Sequence, residues 1–421
     1  MKDRLNILLL GRGGRESAIA GALLRSPRIS MLHSAPATIE GAVHAALNPM
    51  DFDAVADYAE ANMIDLVVIG PEAPIVGGIA DVLNQRGIKA IAPSAEAARL
   101  EGSKEFAKEF MSRHAIPTPR FMPVTIDTLD EGIAFLEALP GPYVIKANGL
   151  AAGRGVVITD SVDEAKNTLH DMLEGLFAAS SETVIIEEYK EGLEYSIILA
   201  LDGEDYRILP VAHDYKRLSD GNTGPNTAGM GAISSPRLED PEFLEIIEKT
   251  IIRPTLRGLK EEEIDFCGFL YLGVLYADGL PMLLEYNVRL GDPETQAILP
   301  RIETDFIDLL EGIADRTLAI KRLSISGLST ASVVVAEGGY PGNVKKGERV
   351  DLPTLPPDGC AVLTGSVTYS PDGIPVADGA RVATAVATAD TIEKAALKAT
   401  ALAGEIRFDN AIFRTDIGSG W

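Results

Sequence analysis

Two oxygen-bearing side chains, Glu285 and Asn287, stand in the apolar start of LLEYNVRLGDPETQ at 283–296. A β-strand sends alternate side chains to opposite faces, so both point the same way and can share one hard cation. A basic and an acidic group, Arg289 and Asp292, follow immediately. This pattern predicts a Mg²⁺ site for a nucleotide phosphate. The plainer reading of the same residues is an edge strand with two solvated polar side chains.

A second cluster supports the first. The strand-like YVIKANG at 143–149 presents Lys146 and runs into LAAGRGV at 150–156, which carries Gly153, Arg154 and Gly155. A strand lysine beside a small, glycine-rich, basic loop suits a flap that closes over a polyphosphate. The P-loop spacing is absent, as are the catalytic-loop and metal-loop signatures of protein kinases. Farther on, VIIEEY at 184–189 is a strand entering a turn. Its backbone can meet an adenine edge while Glu188 or Glu194 accepts from ribose hydroxyls.

The N-terminal turn, Gly11-Arg12-Gly13-Gly14-Arg15-Glu16, resembles a dinucleotide fingerprint only superficially. The third glycine would fall at Glu16, and no acidic residue ends a second strand about 20 residues on. Nicotinamide chemistry is thereby disfavoured. Backbone N–H groups and Arg15 at a helix N-terminus remain, suited to an anion such as a sugar phosphate. A tight turn that needs glycine for backbone reasons is the structural alternative. At 70–74, GPEAP ends another strand at the same sheet edge, making Glu72 a candidate contact to a substrate hydroxyl or amine. Its bland reading is a carboxylate favoured by a helix dipole.

These residues need a scaffold, and its outline is legible. Strand patterns at 6–10, 65–69 and 87–91 alternate with helical patterns at 16–24 and 75–85, a βαβ rhythm that predicts a parallel sheet covered by helices. Ser103 is placed to cap a helix beginning at Lys104. From about 327 the chain turns to short β patterns, at 331–336 and 382–387, then a helical stretch at 391–403; the tail 408–421 reads as structural. With 421 residues, two to four domains are expected.

Composition bounds the function. The chain is 46% hydrophobic and 24% charged, ordinary for a globular protein, and no apolar run approaches the roughly 20 residues of a membrane span. Its 38 basic and 62 acidic residues leave a net charge of -24, which argues against a nucleic-acid or anionic-membrane surface. Basic residues inside motifs therefore carry more weight. The N-terminal apolar run is short and enters a glycine turn, so it reads as a first strand of a cytoplasmic protein and not as a signal peptide. Cys267 and Cys360 form no metal or disulfide pattern and read as small core residues.

Taken together, these motifs resemble the phosphoribosylamine-glycine ligases, or glycinamide ribonucleotide synthetases, of the ATP-grasp superfamily. The likeness rests on GRGGRE at 11–16, GPEAP at 70–74, LEGSK at 100–104, GLAAGRGV at 149–156, TGPNTAGMGA at 223–232, RLGDPETQ at 289–296 and GGYPG at 338–342, and it runs to the closing FRTDIG at 413–418. It implies an α/β and α+β multidomain fold: an N-terminal parallel α/β domain (1–103), an ATP-grasp core (104–325) with an inserted lid (about 124–191), and a C-terminal β-rich domain (326–421). The implied reaction phosphorylates glycine with ATP to an acyl phosphate, which the amine of 5-phosphoribosylamine attacks, giving glycinamide ribonucleotide, ADP and phosphate. No side-chain nucleophile is required, in keeping with only five histidines and no persuasive triad.

By motif, the resemblance sends Lys104 and Lys146 to ATP phosphates, with Gly153, Arg154 and Gly155 in the flap. Glu187, Glu188 and Tyr189 become the adenine hinge and Glu194 the ribose contact. Glu285 and Asn287 hold Mg²⁺ or Mn²⁺, and Arg289 stabilises the transferring phosphoryl group. Arg289, Lys146 and Asp292 are thus the catalytic candidates. Asp214, Lys216, Arg217, Asn226, Thr227, Gly229, Met230, Asp292, Pro293 and Glu294 line the glycine and phosphoribosylamine pocket, with Gly13, Gly14, Arg15, Glu16 and Glu72 at the amine-substrate end. A monomer or weak homodimer acting on small molecules is expected. Departures from the family pattern are Ser17 for a histidine, SAPAT at 34–38 for an APGN-type loop, Arg154 for a lysine, Asn148 for an aspartate and Ala228 for a glycine. They leave open a paralogue for another amine. A non-catalytic ATP-binding regulator is the alternative from a different class.

Overall fold

A computed structural model of the chain describes residues 2–150, 155–175 and 182–421. The N-terminal part is a five-stranded parallel sheet. Its central strand, Leu5–Gly11, is apolar apart from Asn6 near its start because helices cover both faces, and Ile7 to Leu10 are fully buried. That strand pairs with Leu66–Ile69, Leu10 lying opposite Ile69. The two glycine turns that follow these strands are therefore neighbours at one sheet edge. The helical pattern at 75–85 proves to be two helices, Glu72–Val76 and Ile79–Gln85, parted at Gly78, whose left-handed backbone (φ 90°) ends the first and starts the second.

A ten-stranded sheet forms the body of the molecule. Its edge hairpin joins Cys267–Ala277 to Leu280–Asn287 through Asp278-Gly279, both at positive φ, the two-residue turn that matches strand twist. The turn sets the pairing as far as Val274 opposite Leu283; a bulge at Leu284 then shifts the register by one, so that Glu285 lies opposite Gly273 and Asn287 opposite Tyr271. The sheet does not stop where the sequence turns to short β patterns. Gly231–Ser234 pairs with Ser329–Glu337, which pairs with Arg381–Ala389, so the C-terminal part of the chain extends the same sheet. The helix Ile392–Ala403, capped by Thr391, packs on that extension.

A four-stranded sheet made by Phe121–Val124, Val184–Glu188, Tyr143–Ala147 and Val156–Thr159 stands apart with its own small core. Val184, Ile186, Ile145 and Ala147 face that core, together with Leu136 and Leu169 from the two covering helices. The other face, carrying Lys146, is free to meet the body. Cys267 and Cys360 are free and half-buried on strands, so neither sits in the core as the sequence suggested. Among the described residues no helix is long and apolar enough to cross a membrane.

Candidate active site

Between the small sheet, the hairpin edge and the N-terminal turns lies a cavity of about 450 Å³. Its wall brings together Lys104, Lys146, Gly155, Glu285, Asn287, Arg289, Asp292, Glu294, Asp214, Lys216, Thr227, Arg15 and Glu72. These come from sequence positions nearly 280 residues apart, joined by the sheet order.

One end is basic. Ser103 accepts from the Phe106 N–H at 3.1 Å and starts the helix Lys104–Arg113, as its type and position predict. The helix aims Lys104 into the cavity, where it donates to the Gly149 carbonyl at 2.8 Å. Asn148 Oδ1 accepts from Gly149 N–H at 3.1 Å and from Ser103 Oγ and Glu105 N–H at 3.3 Å each, tying the base of the glycine loop to the helix start. The amide oxygen suffices for all three donors, so the departure from aspartate keeps the geometry and removes a charge. Burial lowers Lys104 below the ordinary lysine value. Burial acts on Lys146 in the same sense, but the Glu187 and Glu285 carboxylates outweigh it and hold that ammonium above its usual range.

Opposite stands the hairpin edge. Glu285 and Asn287 share the face that borders the cavity, the arrangement alternation requires. It is an edge strand after all, yet its two polar groups look into a cleft. Arg289 is braced by Glu72 Oε2 (3.0 Å) and Glu101 Oε1 (3.1 Å), and its Nη2 reaches Asn287 Oδ1 at 3.4 Å. Burial opposes its charge, and the two carboxylates more than restore it. Glu101 also accepts from the Val288 N–H at 2.7 Å; burial holds its carboxyl above the usual range.

The far end mixes signs. Lys216 donates to both Asp214 oxygens (2.7 and 2.9 Å), and Glu194 stands 3.2 Å away. Burial disfavours that ammonium, but Asp214 and Glu194 keep it firmly protonated. Glu294 accepts from Ser196 at 3.1 Å, and burial with the nearby Asp214 raises it. Asp292 pairs with Arg381 at 3.1 Å and accepts from Gln296 at 2.6 Å. Burial alone would raise it; Arg381 and Arg15 pull it below the usual carboxylate range.

Other expected contacts do not reach the cavity wall. Glu16 is fully buried beneath the turn, where it accepts from Arg15 Nε at 2.8 Å, and a Cβ on Gly11 or Gly70 would overlap its carboxylate. Gly13 is at φ 152° over that carboxylate, and Gly14 packs against Gln296. Gly229, at φ 111°, gives room to Pro293, while Met230 is buried with Ala336 and Tyr340. Arg217 donates to Gly224 O, and Asn226 pairs with it across a short hairpin. Glu188 faces outward to Arg120 and Lys190, and Tyr189 is exposed. Glu187 faces the other way, buried against two lysines. Gly153 and Arg154 lie outside the described residues.

Sequence reasoning missed four contributors. Lys108 sits one helical turn after Lys104, a spacing that was available as a signal. Glu101 lay unassigned inside a quoted motif. Arg12 is joined to Asp378, and Arg381 donates to the carbonyls of Asp292 (2.7 Å) and Ala228 (2.9 Å). No local pattern marks Arg381, since it reaches the site only because its strand joins the body sheet.

A small sheet facing an antiparallel sheet, with lysines on one lip of the cleft and Glu-x-Asn on the other, defines an ATP-grasp protein. Three consecutive models of phosphoribosylglycinamide synthetase match: the N domain at residues 5–101, the ATP-grasp (A) domain at 102–295 and the C domain at 330–420. The phosphoribosylamine-glycine ligase of Pseudomonas aeruginosa is 37% identical over 425 residues, covering 98% of this chain and 97% of the relative. A crystal structure of phosphoribosylamine-glycine ligase from Thermotoga maritima superposes with a TM-score of 0.84 at 35% identity, over 98% of this chain and 100% of that one. The biotin carboxylase domain of Hydrogenobacter thermophilus 2-oxoglutarate carboxylase, solved with MgADP, matches with a TM-score of 0.72 at 16% identity over 98% and 92%, a likeness of fold alone. The chain belongs to the phosphoribosylglycinamide synthetase family.

Proposed function

We propose that the chain is an ATP-dependent carbon-nitrogen ligase of purine biosynthesis that joins glycine to 5-phosphoribosylamine, releasing ADP and phosphate. The observation that carries this is the convergence in one cavity of Lys104, Lys146, Glu285, Asn287 and Arg289 with an acidic pocket at Asp214 and Glu294. In this reading ATP lies with its phosphates toward Lys104 and Lys146, its adenine along the backbone at 187–189 and its ribose near Glu194. Gly155 lines the same cavity as the two lysines.

Glu285 and Asn287 offer two hard oxygen donors on one face, which fits a divalent cation of the Mg²⁺ or Mn²⁺ kind. When bound there, such an ion would neutralise phosphate charge. Arg289, braced on two carboxylates, presents a fixed guanidinium to the oxygens of the transferring phosphoryl group. Glycine's carboxylate is the acceptor, giving a glycyl phosphate, with its ammonium toward Asp214 and Glu294. The phosphoribosylamine is held at the other end by Arg12, Arg15 and Arg381 with Glu72 and Asp292, and its amine displaces phosphate from the acyl carbon. The protein acts by positioning and electrostatics. A monomer or weak homodimer suffices, since the cavity is built by one chain.

The test is phosphate release from ATP with Mg²⁺ and glycine, phosphoribosylamine being formed in situ from ribose 5-phosphate and ammonia. Each component is omitted in turn. Release that needs all of them, with glycinamide ribonucleotide seen by mass spectrometry, is the expected result. ATP binding without that product would sink the substrate assignment and favour another amine, toward which the departures at Ser17 and 34–38 would point.

A further inference from the structure

We infer that Glu187 is a positioning residue for the reaction, and that with Lys108 it holds the Lys146 ammonium at the phosphate end of the cavity. Strand register puts it there: Lys146 lies opposite Ile185, so Glu187, two residues on, projects from the same face of the small sheet. Its two oxygens are divided. Oε2 meets Lys146 Nζ, while Oε1 accepts from Lys108 Nζ at 2.5 Å. All three residues are at most 9% exposed.

The bridge continues into the body. Lys108 also donates to Thr118 Oγ1 at 2.7 Å, and Thr118 donates to the Leu283 carbonyl at 2.7 Å, two residues before Glu285. A lysine of the small sheet is thus linked through one buried carboxylate, a second ammonium and one hydroxyl to the strand that carries the cation donors. A long lysine side chain has many rotamers, and a carboxylate partner that is itself anchored by Lys108 removes that freedom. Two ammoniums and one carboxylate still leave a net positive charge facing the cavity.

Charge balance and positioning predict opposite outcomes when Glu187 is neutralised. Glu187→Gln adds net positive charge to the cavity wall, so electrostatics alone would tighten ATP binding and spare turnover. Positioning predicts weaker ATP binding and a kcat lower by about 10²-fold, the size of effect that small misplacements produce. The experiment is a double-mutant cycle of Glu187→Gln with Lys146→Met, read in kcat and in ATP affinity by calorimetry, with circular dichroism reporting the fold. The expected result is that E187Q costs little further in the K146M background. Tighter ATP binding with kcat within about two-fold of wild type, or a loss undiminished in K146M, would overturn the inference. Should E187Q fail to fold, Lys108→Met enters the same cycle with the same expectation. The kcat arm rests on the proposed ligase reading, whereas ATP affinity needs neither glycine nor amine, so failure of one is told from failure of the other.

Discussion

Arg289 makes the sharpest claim at the level of single residues. Its guanidinium touches Glu72, Glu101 and Asn287, so it is both a support and a charge source. Arg289→Ala should lower kcat on the order of 10² to 10³-fold, the cost of losing one preorganised donor at a developing charge. An unchanged rate of phosphate release in R289A would refute the role. Arg381→Ala should act differently, raising KM for phosphoribosylamine while leaving ATP affinity near wild type, because its partners Asp292 and Ala228 stand at the far end. Glu188 gives a prediction in pH. The Arg120 guanidinium, aided by Lys190 and opposed by burial, holds its carboxyl down at about 2. A carboxylate depressed in the folded state contributes stability above its unfolded value, near 4.5, and that contribution is lost as pH falls through the folded one. Urea unfolding of wild type and Glu188→Gln should therefore differ at neutral pH and converge between about pH 4.5 and 2. A gap that stays constant through this window would contradict the assignment.

The elements decide how such residues are held. The helix Lys104–Arg113 starts where Ser103 closes it, and the same serine donates to Asn148 at the base of the glycine loop. Ser103→Ala should cost about 1 kcal/mol of stability, the usual worth of a cap, and also raise KM for ATP because Lys104 loses its fixed origin. Equilibrium denaturation and steady-state kinetics on one preparation check both halves. The hairpin Cys267–Asn287 shows the same dependence of chemistry on local geometry: the two-residue turn sets a register as far as Val274–Leu283, and a one-residue bulge then shifts the pairing so that Glu285 and Asn287 lie opposite Gly273 and Tyr271. Sequence alternation predicted their common face. It did not say which face the cleft would occupy.

For the molecule as a whole, the tail is a working part of the body. Arg414, 1% exposed, binds Asp416 at 2.7 Å, the Arg217 carbonyl at 3.0 Å and the face of Tyr215 at 5.0 Å. Gly418 donates to the Tyr215 hydroxyl at 2.8 Å, and Trp421 packs on His213 and Tyr195. These contacts lie behind Asp214 and Lys216. Trp421 is the single tryptophan, so its emission reports the docked tail. Unfolding followed by that emission should coincide with unfolding followed by circular dichroism. An earlier fluorescence transition would mean that the tail is not part of the cooperative unit.

Composition, turn chemistry and motif spacing were enough to read the parallel sheet, the helix begun at Ser103, the paired Glu285 and Asn287, and the family. Those features are local: strand alternation, a capping residue and a glycine turn are written within a few adjacent positions. Other features depend on where distant strands meet. Glu187 stands in a segment that reads as a nucleotide hinge, but its register against Lys146 turns its carboxylate inward to two lysines. Met230 and Glu16, both inside motifs, are directed into cores by their neighbours. Arg381, more than 80 residues from the nearest motif of the cleft, enters because the C-terminal strands extend the body sheet. A side chain's type is carried by its codon, whereas its direction and its partners are set by packing across hundreds of residues, and only the folded chain decides them.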